Sequence, residues 1–150
     1  MSDDATIRAG LEDLPAPDLE PVATPLDEPL SECRVAVVTT GGLTPAGEIE
    51  LWMSGDQKYQ ELPGDARDLQ LSHFSPNFDR TGIIQDLNVV YPVDRLHELA
   101  AAGEIGSVND RHFSFMGAQM EFSTIIQDTG PAVAQQLLDD GVDVILMTPV

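Results

Sequence analysis

The chain has 150 residues, with 26 acidic side chains, 7 basic ones, 3 histidines and a formal net charge of −19. Such a charge repels phosphate backbones and anionic lipid surfaces, which argues against nucleic acid and membrane as partners; no apolar run approaches the roughly 20 residues that cross a bilayer. With 42% hydrophobic residues, the length suits one globular domain rather than two full cores.

Lys58 is the only lysine beside six arginines, and aspartate outnumbers glutamate 16 to 10. This pattern resembles surfaces of salt-adapted proteins, where ions screen self-repulsion; a GC-rich genome with an acidic tail gives the same counts. The start Met1-Ser2-Asp3-Asp4 lacks the basic and apolar stretches of a secretory signal. Cys33 is alone and cannot form an internal disulfide. Both features lead to the expectation of a cytoplasmic chain.

Residues 1–32 hold nine acids and five prolines (Pro15, Pro17, Pro21, Pro25 and Pro29). Prolines so spaced block helices and remove ladder donors, and few large apolar residues are present to offset the entropy of ordering. The expectation is a disordered acidic arm over 1–32, with an α/β domain over 33–150. That domain opens with Arg34-Val-Ala-Val-Val-Thr-Thr-Gly-Gly42, a β-branched run ending in two glycines. It predicts a buried parallel strand running into a tight turn. Residues 43–80 are rich in proline and glycine and predict irregular structure, with room for a short strand at 69–72.

Leu87-Asn-Val-Val-Tyr91 predicts a second strand. Pro92 then suits the first turn of a helix over Val93–Ala102, with Leu96, Leu99 and Ala100 on one face and Gly103 at its end. Arg111–Gly117 reads as extended or loop. A helix follows over about 123–140, with Ile125, Ile126, Val133, Leu137 and Leu138 as candidate core and Gly130-Pro131 as a break or restart. Gly141 is a stop, and Val142–Met147 is the last strand. Helices between apolar strands imply an open, mostly parallel three-layer sheet of Rossmann-like kind.

Ligands of such sheets bind beyond the carboxyl ends of the strands. Two ends carry suitable residues: Thr39-Thr40-Gly41-Gly42, whose N–H groups are a candidate anion site, and Thr148-Pro149-Val150. His73 and His112 read first as structural hydrogen-bonding residues and second as a candidate pair to steady an anion or hold substrate. Asp94 reads first as a helix N-terminal carboxylate and second as a pocket group. His97 reads as a surface residue. Phe113, Phe115 and Phe122 read as core. The scattered Asp and His residues show no metal-ligand spacing, so no metal and no bound cofactor are expected. The G-x-G-x-x-G dinucleotide fingerprint is absent. The candidate pocket is therefore Thr40, Gly41, Gly42, His73, Asp94, His112, Thr148 and Pro149.

The order of the segments carries more than any one of them. The run 34–42, then Gly55-Asp56 with Tyr59, Leu71-Ser72-His73 with Asp79, and Asn88–Leu96 come in succession. Glu98-Leu99, Gly103–Gly106, Arg111–Gly117 and Asp140–Val150 complete the series. This order resembles the selenoprotein B family of glycine/sarcosine/betaine reductases and D-proline reductase, over residues 33–150 and without the acidic leader.

The resemblance implies a selenolate or thiolate nucleophile that cleaves a C–N bond of an amino acid or amine reductively. It also implies a partner subunit with a pyruvoyl group that activates the amine, a second thiol that releases the selenium, and an external dithiol or thioredoxin-like reductant. In short members of the family, a Thr-Pro-Val-like strand end is followed at once by selenocysteine or cysteine. A second cysteine and a further βα segment come after it. Here Val150 is the last residue given. The selenocysteine codon otherwise means stop, so the expectation is a fragment read up to that codon and inactive alone. Cys33 lies at the wrong end of its strand for the role. The alternative is a non-catalytic binding or regulatory subunit that keeps the fold without the nucleophile.

Overall fold

The computed structural model describes residues 24–47, 52–73, 75 and 80–150. Residues 1–23 of the expected arm lie outside these. Its last stretch, 24–32, is exposed and ends in a 3₁₀ turn, Leu30–Glu32. The elements that follow are β1 (Arg34–Thr39), β2 (Leu43–Pro45), β3 (Gln60–Pro63), β4 (Leu69–Leu71), α1 (Thr81–Gln85), α2 (Val93–Ala101), β5 (Ser107–Val108), β6 (Arg111–Ser114), α3 (Gly130–Asp139) and β7 (Val144–Thr148).

β1 is central because both of its faces are apolar: Val35, Ala36, Val37 and Val38 are all buried. On one side it pairs in parallel with β5 (Val35↔Val108) and then β6 (Val38↔Phe113). On the other side it pairs in parallel with β7 from Val35↔Val144 to Thr39↔Thr148. β3 adds antiparallel to β6, so the sheet is mixed but mostly parallel. β2 and β4 form a separate antiparallel pair, and β4 falls within the stretch where a short strand was expected.

The alternation along β1 divides the core in two. Val35 and Val37 pack with Tyr91, Val93 and Leu96 at the start of α2. Ala36 and Val38 pack with Phe113, Phe115 and the α3 residues Val133 and Leu137. α2 and Gly103 (φ +74°) match the predicted helix and its stop. Leu99 of α2 is exposed, as are Ile126 and Leu138, which the helical pattern assigned to the core.

Two predicted features come out differently. Leu87–Tyr91 is not a strand; Leu87–Val89 forms a 3₁₀ turn. Asp86 accepts the Asn88 N–H at 2.9 Å, and the N–H groups of Val90 and Tyr91 close on the Leu87 carbonyl. An apolar run this short reads as either form by pattern, and the aspartate cap decides. Gly130-Pro131 does not break its helix. The preceding turn, Ile125–Thr129, widens into a π-helix that runs directly into α3. Pro131 has no N–H to offer the preceding turn. A Cβ at Gly130 would strike the Ile125 carbonyl oxygen, so glycine permits the wider turn.

Candidate functional site

The carboxyl ends of β1 and β7 meet through a compact set of bonds. Thr40 N–H donates to the Thr148 carbonyl at 3.1 Å. The Thr39 hydroxyl donates to the same oxygen at 3.3 Å. Val150 N–H donates to Thr40 Oγ1 at 2.8 Å. The Thr148 hydroxyl donates to the Val90 carbonyl at 2.7 Å, tying β7 to the segment before α2. Gly117 closes the group: a Cβ there would strike the Val150 carbonyl oxygen and crowd the carbonyl and hydroxyl oxygens of Thr40. Of the candidate pocket residues, Thr40 and Thr148 are thus brought together, with Pro149 between Thr148 and Val150 in the chain. Gly117 was not among the expected site residues, although its glycine ended the segment 111–117.

The glycine turn is not an open anion cradle. Thr40 N–H is spent on Thr148, Gly41 N–H on Thr39 Oγ1 at 3.1 Å, and Gly42 N–H on the Phe115 carbonyl at 2.9 Å. Leu43 N–H goes to Ser114 Oγ at 2.8 Å. Gly42 has φ +61°, and its missing Cβ leaves room for Met116 Cε and the backbone of His73. His73, in the segment read as irregular, therefore stands against the turn. Its Nδ1 accepts the Ser75 N–H at 3.3 Å, and its carbonyl accepts from Arg80 at 2.6 Å. Burial, then the nearby Arg80 cation, lowers the His73 pKa.

His112 lies inside the sheet, fully buried on β6. Its Nδ1 accepts the Val37 N–H at 3.0 Å, so the neutral ring carries its proton on Nε2. Nε2 is buried with no hydrogen-bond partner among the described residues. The Tyr91 ring stands edge-on at 5.5 Å between centroids. Burial pushes the His112 pKa down to about 4. A neutral imidazole engaged by the Val37 N–H fits the structural hydrogen-bonding reading of His112.

Asp94 lies in the first turn of α2 and is held by Arg67 at 2.9 Å and Asn88 at 3.2 Å. Cys33 lies before β1, at the opposite end from the converging termini, and is 1% exposed. Its Sγ faces the Pro29 carbonyl at 3.4 Å. Burial, followed by the charges of Asp143, Glu28 and Glu32, raises its pKa above the ordinary thiol value. Among the described residues no group of three or more His, Cys, Asp or Glu comes close enough to hold a metal ion, and no helix is long and apolar enough to cross a membrane.

Beside the strand ends, on the α3 face of the sheet, runs an apolar groove of about 330 Å³. Val38, Phe115, Phe122, Val133, Ile145 and Met147 are among its walls, and no ionisable side chain lines it. Phe122, expected in the core, is half exposed at the rim. The groove draws on four separate segments, so no local pattern announces it.

The selenoprotein B profile of glycine/sarcosine/betaine reductase matches residues 11–150. The match therefore begins inside the acidic arm rather than at residue 33. The D-proline reductase subunit gamma of Acetoanaerobium sticklandii is 32% identical over 130 residues, covering 85% of this chain and 53% of that protein. The glycine reductase complex component B subunit gamma of Carboxydothermus hydrogenoformans is 30% identical over 142 residues, covering 91% of this chain and 32% of the relative. The sarcosine reductase complex component B subunit beta of Peptoclostridium acidaminophilum is 26% identical over 131 residues, 83% of this chain and 29% of its own length. The chain thus spans about half or less of the curated relatives it matches. No solved structure gives a significant match. With almost the whole chain inside one profile, the protein belongs to the glycine/sarcosine/betaine reductase selenoprotein B family.

Proposed function

We propose that this chain is the substrate-facing part of a selenoprotein B-type reductase, and that its selenolate or thiolate nucleophile comes from outside residues 1–150. One observation carries the reading. The sequence holds a single cysteine, Cys33, which is buried, raised in pKa and at the wrong end of β1. A nucleophile must be ionised and accessible near neutral pH, and Cys33 is neither. The converging ends of β1 and β7 are the place where it would act, in line with an open, doubly covered Rossmann-like sheet.

The reaction is reductive cleavage of a C–N bond in an amino acid or amine, of the kind named for the relatives: glycine, sarcosine, betaine or D-proline. The nucleophile takes the α-carbon, the amine leaves with the bond pair, and an external dithiol supplies the two electrons that restore the starting state. A pyruvoyl group on a partner subunit supplies electrophilic activation of the amine. The strand-end hydroxyls of Thr39, Thr40 and Thr148 are already engaged in internal bonds, and in this reading the pyruvoyl group belongs to the partner. The role of this chain is to hold the substrate-side framework at the strand ends.

The same lack of a reactive thiol favours a second reading, a non-catalytic binding or regulatory subunit. The native assembly, isolated through a tag on this chain, separates the two. Selenium content, alkylation after reduction, and turnover of glycine, sarcosine, betaine and D-proline with dithiothreitol are measured. About one selenium or one alkylatable thiol other than Cys33 per chain, with activity lost on alkylation, is expected. An assembly that turns over these substrates untouched by alkylation, and contains no selenium, overturns the proposal.

A further inference from the structure

Residues 118–124 run between Gly117, which packs against Val150 and Thr40, and the π-turn that begins at Ile125. Gln119 and Phe122 line the same groove as Thr40 and Met147, so the segment borders the strand ends. Its own hold on the body is slight. Residues 120–124 are all exposed, Met120 by 84%. Among the described residues its backbone bonds are local: Gln119 N–H donates to the Gly117 carbonyl and Ile126 N–H to the Phe122 carbonyl, each at 2.9 Å. The helical turn that follows supplies no side-chain cap of its own.

A residue far away in the chain fills that gap. Gln57 Oε1 accepts the N–H groups of Thr124 at 3.0 Å and Ile125 at 3.2 Å, donors that a helix cannot satisfy from within. Its Nε2 donates to Glu121 Oε2 at 2.8 Å, and its carbonyl accepts the Thr129 hydroxyl at 2.8 Å. Glu121 in turn gathers the N–H and the hydroxyl of Ser123, each at 2.8 Å. Gln119 Nε2 adds a bond to the Asp56 carbonyl. The segment around Gln57 is itself well fixed. Met53 N–H donates to Asp56 Oδ2 at 2.7 Å, Lys58 stands 5.5 Å over the ring of buried Trp52, and Tyr59 meets Phe113 edge-on at 5.6 Å. A fixed post thus holds an exposed segment by side-chain bonds, several of them open to water. Such bonds contribute little net free energy, so the segment opens locally while the sheet stays closed. We propose that residues 118–124 are a lid beside the strand-end site and that Gln57 is its latch, a positioning residue for that site. The proposal rests on the strand ends being where substrate meets the nucleophile, but its first two readouts need no activity.

The native assembly, isolated through a tag on this chain, is compared with Gln57→Ala, with Gln57→Glu, and with the pair Gln57→Glu and Glu121→Gln. The pair exchanges donor and acceptor across one bond and keeps an acceptor for Thr124 and Ile125. Amide exchange at Thr124 and Ile125 is expected to rise about tenfold in both single variants and to return to within about twofold of the native rate in the pair, with Val35 and Val37 of β1 unchanged. Met116 reports access to the site: it is 1% exposed, lines the groove and lies against the Gly42 turn. Its oxidation by hydrogen peroxide, read by mass, is expected to follow the same order, while exposed Met53 reacts alike in all four proteins. With whichever of glycine, sarcosine, betaine or D-proline the assembly reduces, kcat and KM are both expected to shift about threefold in the single variants and to recover in the pair. Exchange at Thr124 and Ile125 that is as slow as in β1, or indifferent to Gln57→Ala, overturns the proposal. So does Met116 oxidation that ignores the latch, a rise in exchange that includes β1, or faster lid exchange with kcat and KM unaltered. Latch-dependent exchange and oxidation without turnover of any of the four substrates would uphold the lid and strike the proposed reaction alone.

Discussion

The Nδ1 atom of His112 accepts the backbone N–H of Val37 at 3.0 Å. Between Val35↔Val108 and Val38↔Phe113, two residues of β1 face four residues of the β5–β6 segment. The extra residues break the ladder there. The imidazole supplies the acceptor that the bulge removes, at the centre of the sheet that sets the strand ends.

Replacing His112 with alanine is expected to leave the Val37 N–H buried and unsatisfied, a cost of about 1–3 kcal/mol, with lost packing in addition. His112→Asn offers Oδ1 close to the position of Nδ1 and is expected to retain more than half of the lost stability. Urea unfolding of the two variants checks this. Equal losses would show that the ring contributes through packing alone.

The same ring gives a pH dependence. Its folded pKa of about 4 lies below the ordinary histidine value of 6.5. Between those values the unfolded chain binds a proton that the folded chain refuses, so stability rises with pH across this window. It is complete above about pH 6.5 and is lost as the pH falls toward 4, a change on the order of 3 kcal/mol. Unfolding free energies at pH 7.0, 5.5 and 4.5 should show this slope in the native protein and a much smaller one in His112→Asn. Carboxylates contribute to both proteins and cancel in the difference.

How far the sequence revealed this arrangement depends on the range of each interaction. β1, α2 with Gly103, and β7 carry their signals locally, in a β-branched run, an amphipathic turn and a glycine stop. Their places follow from the residues themselves. The 3₁₀ turn at Leu87–Val89 was hidden because a run this short has no resolvable period. The bulge, the antiparallel addition of β3 to β6, and the meeting of Thr40, Gly117 and Val150 depend on residues tens of positions apart. His73 meets the glycine turn through contacts that no local pattern announces, and His112 came to rest in the core on a Val37 bond that no spacing rule contains.

Arg111 and Asp140 fasten β6 to the end of α3. Nη2 meets Oδ1 at 2.7 Å and Nε meets Oδ2 at 3.0 Å, while Asn109 adds a bond to Oδ2 at 3.0 Å. The hydrogen bonds from Arg111, then from Asn109, hold the Asp140 carboxyl below its usual pKa. That stability is present at neutral pH and is lost as pH falls through the lowered folded value. Because both side chains keep some solvent contact, Arg111→Lys, which cannot form the planar pair, is expected to cost about 1–2 kcal/mol at pH 7. A double-mutant cycle with Asp140→Asn measures the coupling, and a value near zero would assign the cost to packing.

Gly117→Ala tests the convergence of the strand ends. The new methyl group would meet the Val150 carbonyl and both oxygens of Thr40, so β7's terminus must move. Expected are a loss of about 1–3 kcal/mol and faster amide exchange at Val150, whose N–H now bonds Thr40 Oγ1. Exchange at Val35 and Val37, in the middle of β1, should change only with global stability. Unaltered exchange at Val150 would mean that the terminus does not depend on the small residue.

Cys33 tests the assignment of the nucleophile from the other side. Its sulfur is buried near the Pro29 and Glu28 carbonyls at 3.4 and 3.8 Å, and its surroundings disfavour the thiolate. Alkylation by iodoacetamide at pH 7.5 is therefore expected to be on the order of a hundredfold slower in the folded chain than in guanidinium, because both access and ionisation oppose it. In the reduced native assembly, Cys33→Ala should leave turnover unchanged and leave the sensitivity to alkylation intact. Such an outcome locates the reactive group elsewhere. Should Cys33→Ala instead make the assembly resistant to iodoacetamide or stop turnover while the fold survives, the buried thiol would have to become exposed during the reaction, and the strand-end site would lose its claim to the chemistry.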